Sequence, residues 1–247
     1  MIATTAKEHK PIPADVSAFV GRLVQLCDDH LGSRLAGAFL IGSLAHGGYS
    51  ARYSDIDVAI VMENLSDSRD LIALRESLKE TSAALASRLS LFWTDVEFTG
   101  GRFPLLDRID YLDHRVALLQ RRPAAPQRPA LQAIRTYLRG EPLRNWAAAA
   151  TRFGALGVLA ADDHKAYLRA LLYPARFICT WETGLVVSND DAVAYVQERN
   201  SIGSDIDLMV RALSCRTRGE SLSDLFPERH RLDRLIRICV GMSNEAG

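Results

Sequence analysis

The sequence predicts an α/β (α+β) domain over residues 1–120 and an all-α helical bundle over residues 121–247. Two observations predict this division. Before Gly100 and Gly101, strand-like runs alternate with helical periodicity, whereas beyond them the strand signals nearly vanish. A Pro- and Arg-rich stretch at residues 121–129 then interrupts the helical pattern and marks the boundary.

Five elements are predicted in the first domain: a helix near residues 14–30, strands at 36–41 and 55–62, a helix at 67–89 and a strand at 91–98. Both helices carry apolar residues at helical spacing, and Gly32 ends the first of them. The first strand is an apolar run closed by Gly42. The second strand alternates, with Ile56, Val58 and Ile60 on one face. The third has the composition of a strand.

Beyond the boundary, helices are predicted near residues 131–139, 143–160, 164–183, 190–200, 204–215 and 230–240. This pattern is typical of a helical bundle, in which most side chains serve packing. The segment Ser204-Asp205-Ile206-Asp207 repeats an Asp-Ile-Asp motif found earlier in the chain, but its context predicts a helix start. Residues two apart on a helix point away from each other, so no second metal site is expected here.

Composition limits the partners and the compartment. Thirty basic residues balance thirty acidic ones, so the charge does not attract nucleic acid or anionic membranes, and a polynucleotide partner is disfavoured. The longest apolar stretches fall short of the roughly 20 residues of a membrane span. Residues 1–10 lack the apolar core of a secretory signal, and the four cysteines lack zinc-site spacing. We expect a cytoplasmic protein with reduced core thiols, and the sequence does not predict its oligomeric state.

The segment from Gly42-Ser43 to Asp55-Ile56-Asp57 contains the residues that most clearly indicate a function. Residues two apart in a strand share a face, so Asp55 and Asp57 place two carboxylates side by side. Adjacent carboxylates repel each other unless a cation lies between them, and Mg²⁺ suits such a pair because it completes its shell with water and phosphates. Gly42 lets the backbone approach a phosphate, and Ser43 can point donors at a triphosphate.

A third acid is expected from a neighbouring strand. Asp95 and Glu97 share one face there, so spacing does not choose between them. A carboxylate at this place would complete the metal shell or accept the proton of an attacking hydroxyl. His46, in the glycine-rich loop after Ser43, is either a phosphate donor or a solvated loop residue.

These motifs resemble a known family. Gly42-Ser43 followed by Asp55-Ile56-Asp57 resembles the signature of the nucleotidyltransferase superfamily that includes DNA polymerase β, and most closely the aminoglycoside adenylyltransferases. The segment from Arg176 to Asp191 is similar to a helix-turn-helix segment of the streptomycin and spectinomycin adenylyltransferases. The resemblance implies that Arg176 contacts the nucleotide phosphates and that Glu97, rather than Asp95, is the base.

The resemblance further implies an N-terminal nucleotidyltransferase domain with a small mixed sheet and flanking helices, and a helical domain that contributes to nucleotide and acceptor binding. It implies Mg²⁺-dependent transfer of AMP from ATP to a hydroxyl of a small molecule, for example one of the aminoglycoside type, with release of pyrophosphate. The residues assigned to metal and catalysis are Asp55, Asp57 and Glu97, and those assigned to the nucleotide are Gly42, Ser43 and Arg176. Two alternatives are a protein or RNA hydroxyl as acceptor and a nucleotide-binding module that has lost transfer.

The sequence also departs from the family pattern at positions that bind its ligands. Asn189 stands where the family has a phosphate-binding lysine. Ala166 and Arg169 stand where the family has an aspartate and a histidine that contact the drug. The resemblance therefore does not imply streptomycin as the acceptor.

Overall fold

The computed structural model describes residues 12–65 and 69–245 and divides into two compact units, Met1–Arg128 and Pro129–Gly247. The division lies later than residue 120 because the Pro- and Arg-rich stretch packs onto the first unit. The backbone N–H of Arg121 donates to the carbonyl of Ala36 at 2.8 Å, and the Tyr111 hydroxyl donates to the carbonyl of Ala124 at 2.9 Å. Residues 1–10, on which the expectation against export rests, lie outside the described residues.

The first unit is built around one mixed sheet. Its elements, in chain order, are α1 (Ala14–Leu31), β1 (Leu35–Leu40), α2 (Gly42–Ala45), β2 (Ile56–Met62), α3 (Arg69–Thr81), α4 (Ala83–Ala86), β3 (Leu89–Asp95), α5 (Leu105–His114) and β4 (Val116–Gln120). The strand order is β3-β2-β1-β4, with β1 antiparallel to β2 and β4 and with β2 parallel to β3. The expected α/β fold class with a small mixed sheet is confirmed.

Three local features differ from the sequence prediction. The expected helix over 67–89 is divided at Ser82, whose hydroxyl accepts a hydrogen bond from the backbone N–H of Leu85, and its beginning includes residues outside the described part. The strand expected at 91–98 begins at Leu89 and ends at Asp95. The segment after Gly101 contains α5 and β4, although few strand signals were visible there. The strand end at Asp95 matters most, because it decides where Glu97 lies.

The two faces of β2 pack into two different cores. Ile56, Val58 and Ile60 are fully buried in the core that contains the apolar faces of α1 and α3. Ala59 and Val61, on the opposite face, belong to a second core with an aromatic cluster. The aromatic cluster is formed by Phe39, Phe92, Phe98, Phe103 and Tyr111. Because Tyr111 lies on α5, this helix covers the face of β2 to which Asp57 also belongs by strand alternation.

The second unit is helical. Its α-helices are α6 (Leu131–Arg139), α7 (Glu141–Ala155), α8 (His164–Thr183), α9 (Asn189–Arg199), α10 (Ile206–Arg218) and α11 (Leu232–Glu245). The six helices predicted from periodicity correspond to these six, and the helical nature of the C-terminal region is confirmed. All four cysteines are free and buried. Within residues 12–65 and 69–245, no helix has the length and apolarity needed to cross a membrane.

The repeated Asp-Ile-Asp motif lies at a helix start, as the sequence predicts, because α10 begins at Ile206. Both aspartates bind one arginine: Arg231 Nε donates to Asp205 at 2.8 Å and Arg231 Nη2 donates to Asp207 at 2.6 Å. Arg231 also donates to Glu228 at 2.6 Å. The Asp205 side chain is only 2% exposed, so its charge depends on this arginine.

We expect Arg231→Met to destabilise the second unit by about 3 kcal/mol, because the buried Asp205 carboxylate would keep only the more exposed Arg234 as its cation. Urea unfolding followed by circular dichroism measures this loss. Arg152→Met is the control, since its pair with Asp163 is exposed to solvent and contributes at most about 1 kcal/mol. Equal losses in the two variants would contradict a special role for the Arg231 cluster.

Candidate active site

The paired aspartates lie at the beginning of β2. Asp55 immediately precedes the strand and Asp57 is its second residue, and both are partly buried. Asp57 points to the face that α5 covers, because Ile56 and Val58 on either side of it are buried in the other core. Asp55 lies two residues earlier, just before the strand, and its charge acts on the Asp57 carboxyl. The structure thus brings the two predicted carboxylates to one end of the sheet.

Gly42 and Ser43 lie directly against Asp57. The backbone N–H of Ile41 donates to the Asp57 carbonyl at 3.1 Å, which joins the end of β1 to the start of β2. Gly42 has a φ of +64°, and a Cβ at this position would collide with Asp57 Oδ2. Both features require glycine. The Ser43 hydroxyl oxygen is buried and makes no hydrogen bond to the residues that the structure describes. A buried hydroxyl beside a glycine turn suits a ligand with acceptor oxygens.

The Asp57 carboxyl is partly buried and lies near three other aspartates. Burial, followed by the charges of Asp55, Asp107 and Asp110, raises its pKa from the ordinary 3.8 to about 7, while a hydrogen bond with Ser90 works in the opposite direction. Asp107 and Asp110 belong to α5, and sequence reasoning did not select them. Their spacing of three residues, after Pro104 at the N-cap, was the signal that could have placed two acids on one side of a short helix.

Helix α5 is held next to the glycine-serine turn by two contacts. Asp110 accepts a hydrogen bond from the backbone N–H of Gly42 through Oδ2, and Asp110 is only 4% exposed. The rings of His46 and His114 meet edge to face, with their centroids 5.7 Å apart. His46 is therefore packed against α5 at the end of α2.

Glu97 does not lie with the two aspartates. Strands β2 and β3 are parallel, with Asp57 beside Ser90 and Met62 beside Asp95. Because a strand advances by about 3.3 Å per residue, the five steps from Ser90 to Asp95 place Asp95 about 17 Å along the sheet from Asp57, and Glu97 follows β3 in a turn. Glu97 is exposed there. The trio of Asp55, Asp57 and Glu97 expected from the resemblance is not assembled, because the parallel pairing separates its members.

Asp95, the other acid considered for this role, forms the turn that ends β3. Its Oδ1 accepts from the backbone N–H groups of Glu97 and Thr99 at 3.0 and 2.9 Å, and Oδ2 accepts from the Thr99 hydroxyl at 2.5 Å. Burial alone would raise the pKa of Asp95, but these hydrogen bonds lower it below the ordinary value. Asp95 therefore stabilises a turn at the far end of the sheet.

Arg88 fixes the segment that precedes Asp55. Its Nε and Nη2 donate to the Ser54 carbonyl at 3.0 and 2.7 Å, and Nη2 also donates to the Tyr49 hydroxyl at 2.8 Å. The backbone N–H of Ile56 donates to the Arg88 carbonyl at 2.9 Å. One residue thus ties the loop after α2, the start of β2 and the start of β3 together, which restricts the positions open to Asp55.

The arrangement of these elements matches a solved enzyme. The chain is similar to spectinomycin adenyltransferase AAD(9) from Enterococcus faecialis, whose crystal structure contains ATP and spectinomycin. The TM-score is 0.66, the match covers 92% of this chain and 99% of that chain, and the sequence identity is 14%. The chain has a nucleotidyltransferase fold. No protein-family model and no curated protein sequence matches it, so the likeness to known proteins is one of fold.

Within this nucleotidyltransferase fold, Asp55 and Asp57 suit a divalent cation. In the part of the chain that the structure describes, no three acidic, histidine or cysteine side chains are arranged to hold a metal ion together. Mg²⁺ needs only one or two protein carboxylates when water and phosphates supply the other ligands. The repulsion that raises the pKa of Asp57 is also what a bound cation would relieve. The two carboxylates therefore fit a site that is completed by a nucleotide.

Arg176, which the resemblance assigns to the nucleotide phosphates, belongs to the second unit of this nucleotidyltransferase fold. It lies on α8 and is exposed. The residues around it in the helix, Ala175 and Phe177, are buried in the unit. Its contact with phosphates stays a prediction.

The raised pKa of Asp57 predicts how stability depends on pH. The folded state holds this proton up to a pH of about 7, whereas the unfolded chain releases it near 3.8. The contribution of Asp57 to the free energy of unfolding is therefore expected to fall as the pH rises from about 4 to 7 and to level off above that. Thermal unfolding of metal-free protein between pH 5 and 8 measures this fall, and Asp57→Asn should flatten it. A variant with the same slope as the wild type would contradict the assignment.

Proposed function

We propose that this protein is an adenylyltransferase that transfers AMP from ATP to a hydroxyl group of a small molecule and releases pyrophosphate. The observation that carries the proposal is the contact of Gly42 and Asp57: a glycine-serine turn lies against the start of β2, where Asp55 precedes the strand and Asp57 is its second residue. The fold match supports it, because the similar enzyme is an adenyltransferase whose structure contains ATP and spectinomycin. On the same likeness we propose an acceptor of the aminoglycoside type.

Asp55 and Asp57 are the residues that would hold Mg²⁺ in this proposal. When bound, Mg²⁺ supplies positive charge that stabilises the negative charge developing on the phosphates. The chain itself positions the nucleotide: Gly42 leaves room beside Asp57, and the Ser43 hydroxyl can donate to a phosphate oxygen. We assign the nucleotide to Gly42 and Ser43, with Arg176 as a further phosphate contact that the resemblance implies.

A second candidate function is a nucleotide-binding module without transfer. Ser90 supports this alternative, because it is the residue of β3 that stands beside Asp57 and it is not a carboxylate. Such a protein would bind ATP with Mg²⁺ and release no pyrophosphate. Transfer to a protein or RNA hydroxyl is a third outcome, in which the chemistry is kept and the acceptor changes.

One experiment separates these functions. The protein is incubated with labelled ATP, Mg²⁺ and a panel of aminoglycosides that includes spectinomycin, and pyrophosphate release and labelled products are followed. Acceptor-dependent release supports adenylyl transfer to a small molecule, whereas labelling of added protein or RNA supports the other acceptor class. Binding of ATP without release in any mixture would support the binding module, and absence of ATP binding would refute the proposal.

A further inference from the structure

The sheet beside Asp57 does not provide a third carboxylate. Strand β3 contains one acidic residue, Asp95, which lies at the opposite end of the strand from Ser90 and is engaged in a turn. Ser90, the register partner of Asp57, contributes a hydroxyl group. If the chain has a proton acceptor for the attacking hydroxyl, it has to come from another element.

Helix α5 is the element that faces this place. Gly42 lies between Asp57 and Asp110, because a Cβ on Gly42 would meet Asp57 while its N–H donates to the Asp110 carboxylate. Asp107 precedes Asp110 by three residues, so both lie on the same side of the helix. Tyr111, the residue after Asp110, packs in the aromatic cluster under the same face of β2. The side of α5 that carries Asp107 is thus the side turned to the paired aspartates.

The two aspartates of α5 differ in what they can do. Asp110 is almost fully buried and accepts the hydrogen bond of Gly42, so it positions the glycine-serine turn. Asp107 lies one turn earlier and is partly exposed, and its charge is one of those that raise the pKa of Asp57. A general base has to reach the hydroxyl that it deprotonates, within hydrogen-bond distance. Asp107 meets this requirement better than Asp110.

We propose that Asp107 is the general base of the adenylyl transfer, a role that rests on the function proposed above. The acceptor hydroxyl oxygen forms a bond to the α-phosphorus of ATP while its proton passes to a carboxylate oxygen of Asp107. The bond from the α-phosphorus to the oxygen that bridges to the β-phosphorus breaks, and pyrophosphate leaves with that electron pair. Asp107 is thereby a catalytic residue and Asp110 a positioning residue.

Asp107→Asn is expected to lower kcat by about 10²–10³-fold, because the amide does not accept the proton. Its affinity for ATP with Mg²⁺, measured by isothermal titration calorimetry, should stay close to that of the wild type. Asp107→Glu should recover part of the turnover. Asp113→Asn is the matched control: it changes another aspartate of α5, whose side chain pairs with the exposed Arg128, and should leave turnover unchanged.

A second readout does not depend on turnover. At pH 8, where the Asp57 carboxyl has lost its proton, removing the charge of Asp107 should raise the melting temperature of the metal-free protein, because the repulsion between the two carboxylates ends. Asp113→Asn should produce no such rise. An Asp107→Asn variant with full turnover, or with no gain in stability over Asp113→Asn, overturns the inference while the proposed function stands. A wild-type protein that binds ATP with Mg²⁺ and transfers AMP to no acceptor overturns both.

Discussion

Replacing Asp57 with asparagine is expected to lower AMP transfer by about 10³-fold or more, since a bound cation contributes several kcal/mol to the stabilisation of the transition state. Affinity for ATP in the presence of Mg²⁺ should fall as well, because Asp55 would remain as the one carboxylate of the pair. At pH 8, where the wild-type Asp57 carboxyl is ionised, the metal-free variant should be more stable than the wild type, since a neutral side chain ends the repulsion at this buried position. Pyrophosphate release, calorimetric titration with ATP and Mg²⁺, and thermal unfolding in EDTA measure these three effects.

Glu97→Gln is the matched control for this variant. Glu97 is exposed beyond β3, at the far end of the strand pair from Asp57, so its replacement should change neither turnover nor ATP affinity. The resemblance implies the opposite result, because it assigns the base to Glu97. A large loss of turnover in Glu97→Gln, with Asp57→Asn unaffected, would show that the site is not where the paired aspartates lie.

Gly42→Ala is expected to produce the second largest loss of AMP transfer. The φ of +64° costs a residue with a Cβ about 1 kcal/mol or more, and the new methyl group would collide with Asp57 Oδ2. Either the turn or the Asp57 carboxylate has to move, and a displacement of about 1 Å in such a site lowers catalysis by about 10²-fold. Turnover and ATP affinity should both fall, and urea unfolding should show the loss of stability.

Gly32→Ala separates backbone strain from the collision. Gly32 also has a positive φ, +53°, but a Cβ there would meet nothing within 4 Å. It precedes β1, at the other end of the strand from Gly42. We expect Gly32→Ala to lose stability through strain alone and to retain ATP binding. If Gly32→Ala and Gly42→Ala lose ATP affinity equally, the contact with Asp57 is not what Gly42 provides.

Much of the fold was predictable because it depends on local patterns. The alternation of Ile56, Val58 and Ile60 identified β2 and thereby the shared face of Asp55 and Asp57. Helical periodicity gave the six helices of the second unit, which need only an apolar side at regular spacing. Helix α5 was missed because its apolar periodicity is weaker than that of α6, which is one residue shorter and was predicted. Strand β4 was missed because it is short, partly exposed and at the edge of the sheet.

The residue at which β3 ends was harder to predict, although hydrogen bonds between residues close in sequence determine it. The residues Thr94 to Phe98 alternate in a way that fits a strand, but the Asp95 side chain accepts hydrogen bonds from Glu97 and Thr99 and turns the chain. Phe98 adopts a φ of +56°, which a strand does not contain. An Asp side chain that accepts hydrogen bonds from the backbone N–H groups after it favours a turn over continuation of the strand. The alternation of the sequence alone does not show which of the two structures forms.

The sequence by itself determined most of the strands and helices, and that two carboxylates lie close together beside a glycine-serine turn. Only the tertiary structure decided which other groups surround them. The parallel register of β2 and β3 puts Ser90 beside Asp57 and carries Glu97 to the far end, while the packing of Tyr111 brings Asp107 and Asp110 to the site. Local patterns fix the direction of a side chain along its own element, but strand register and helix docking depend on contacts between distant segments.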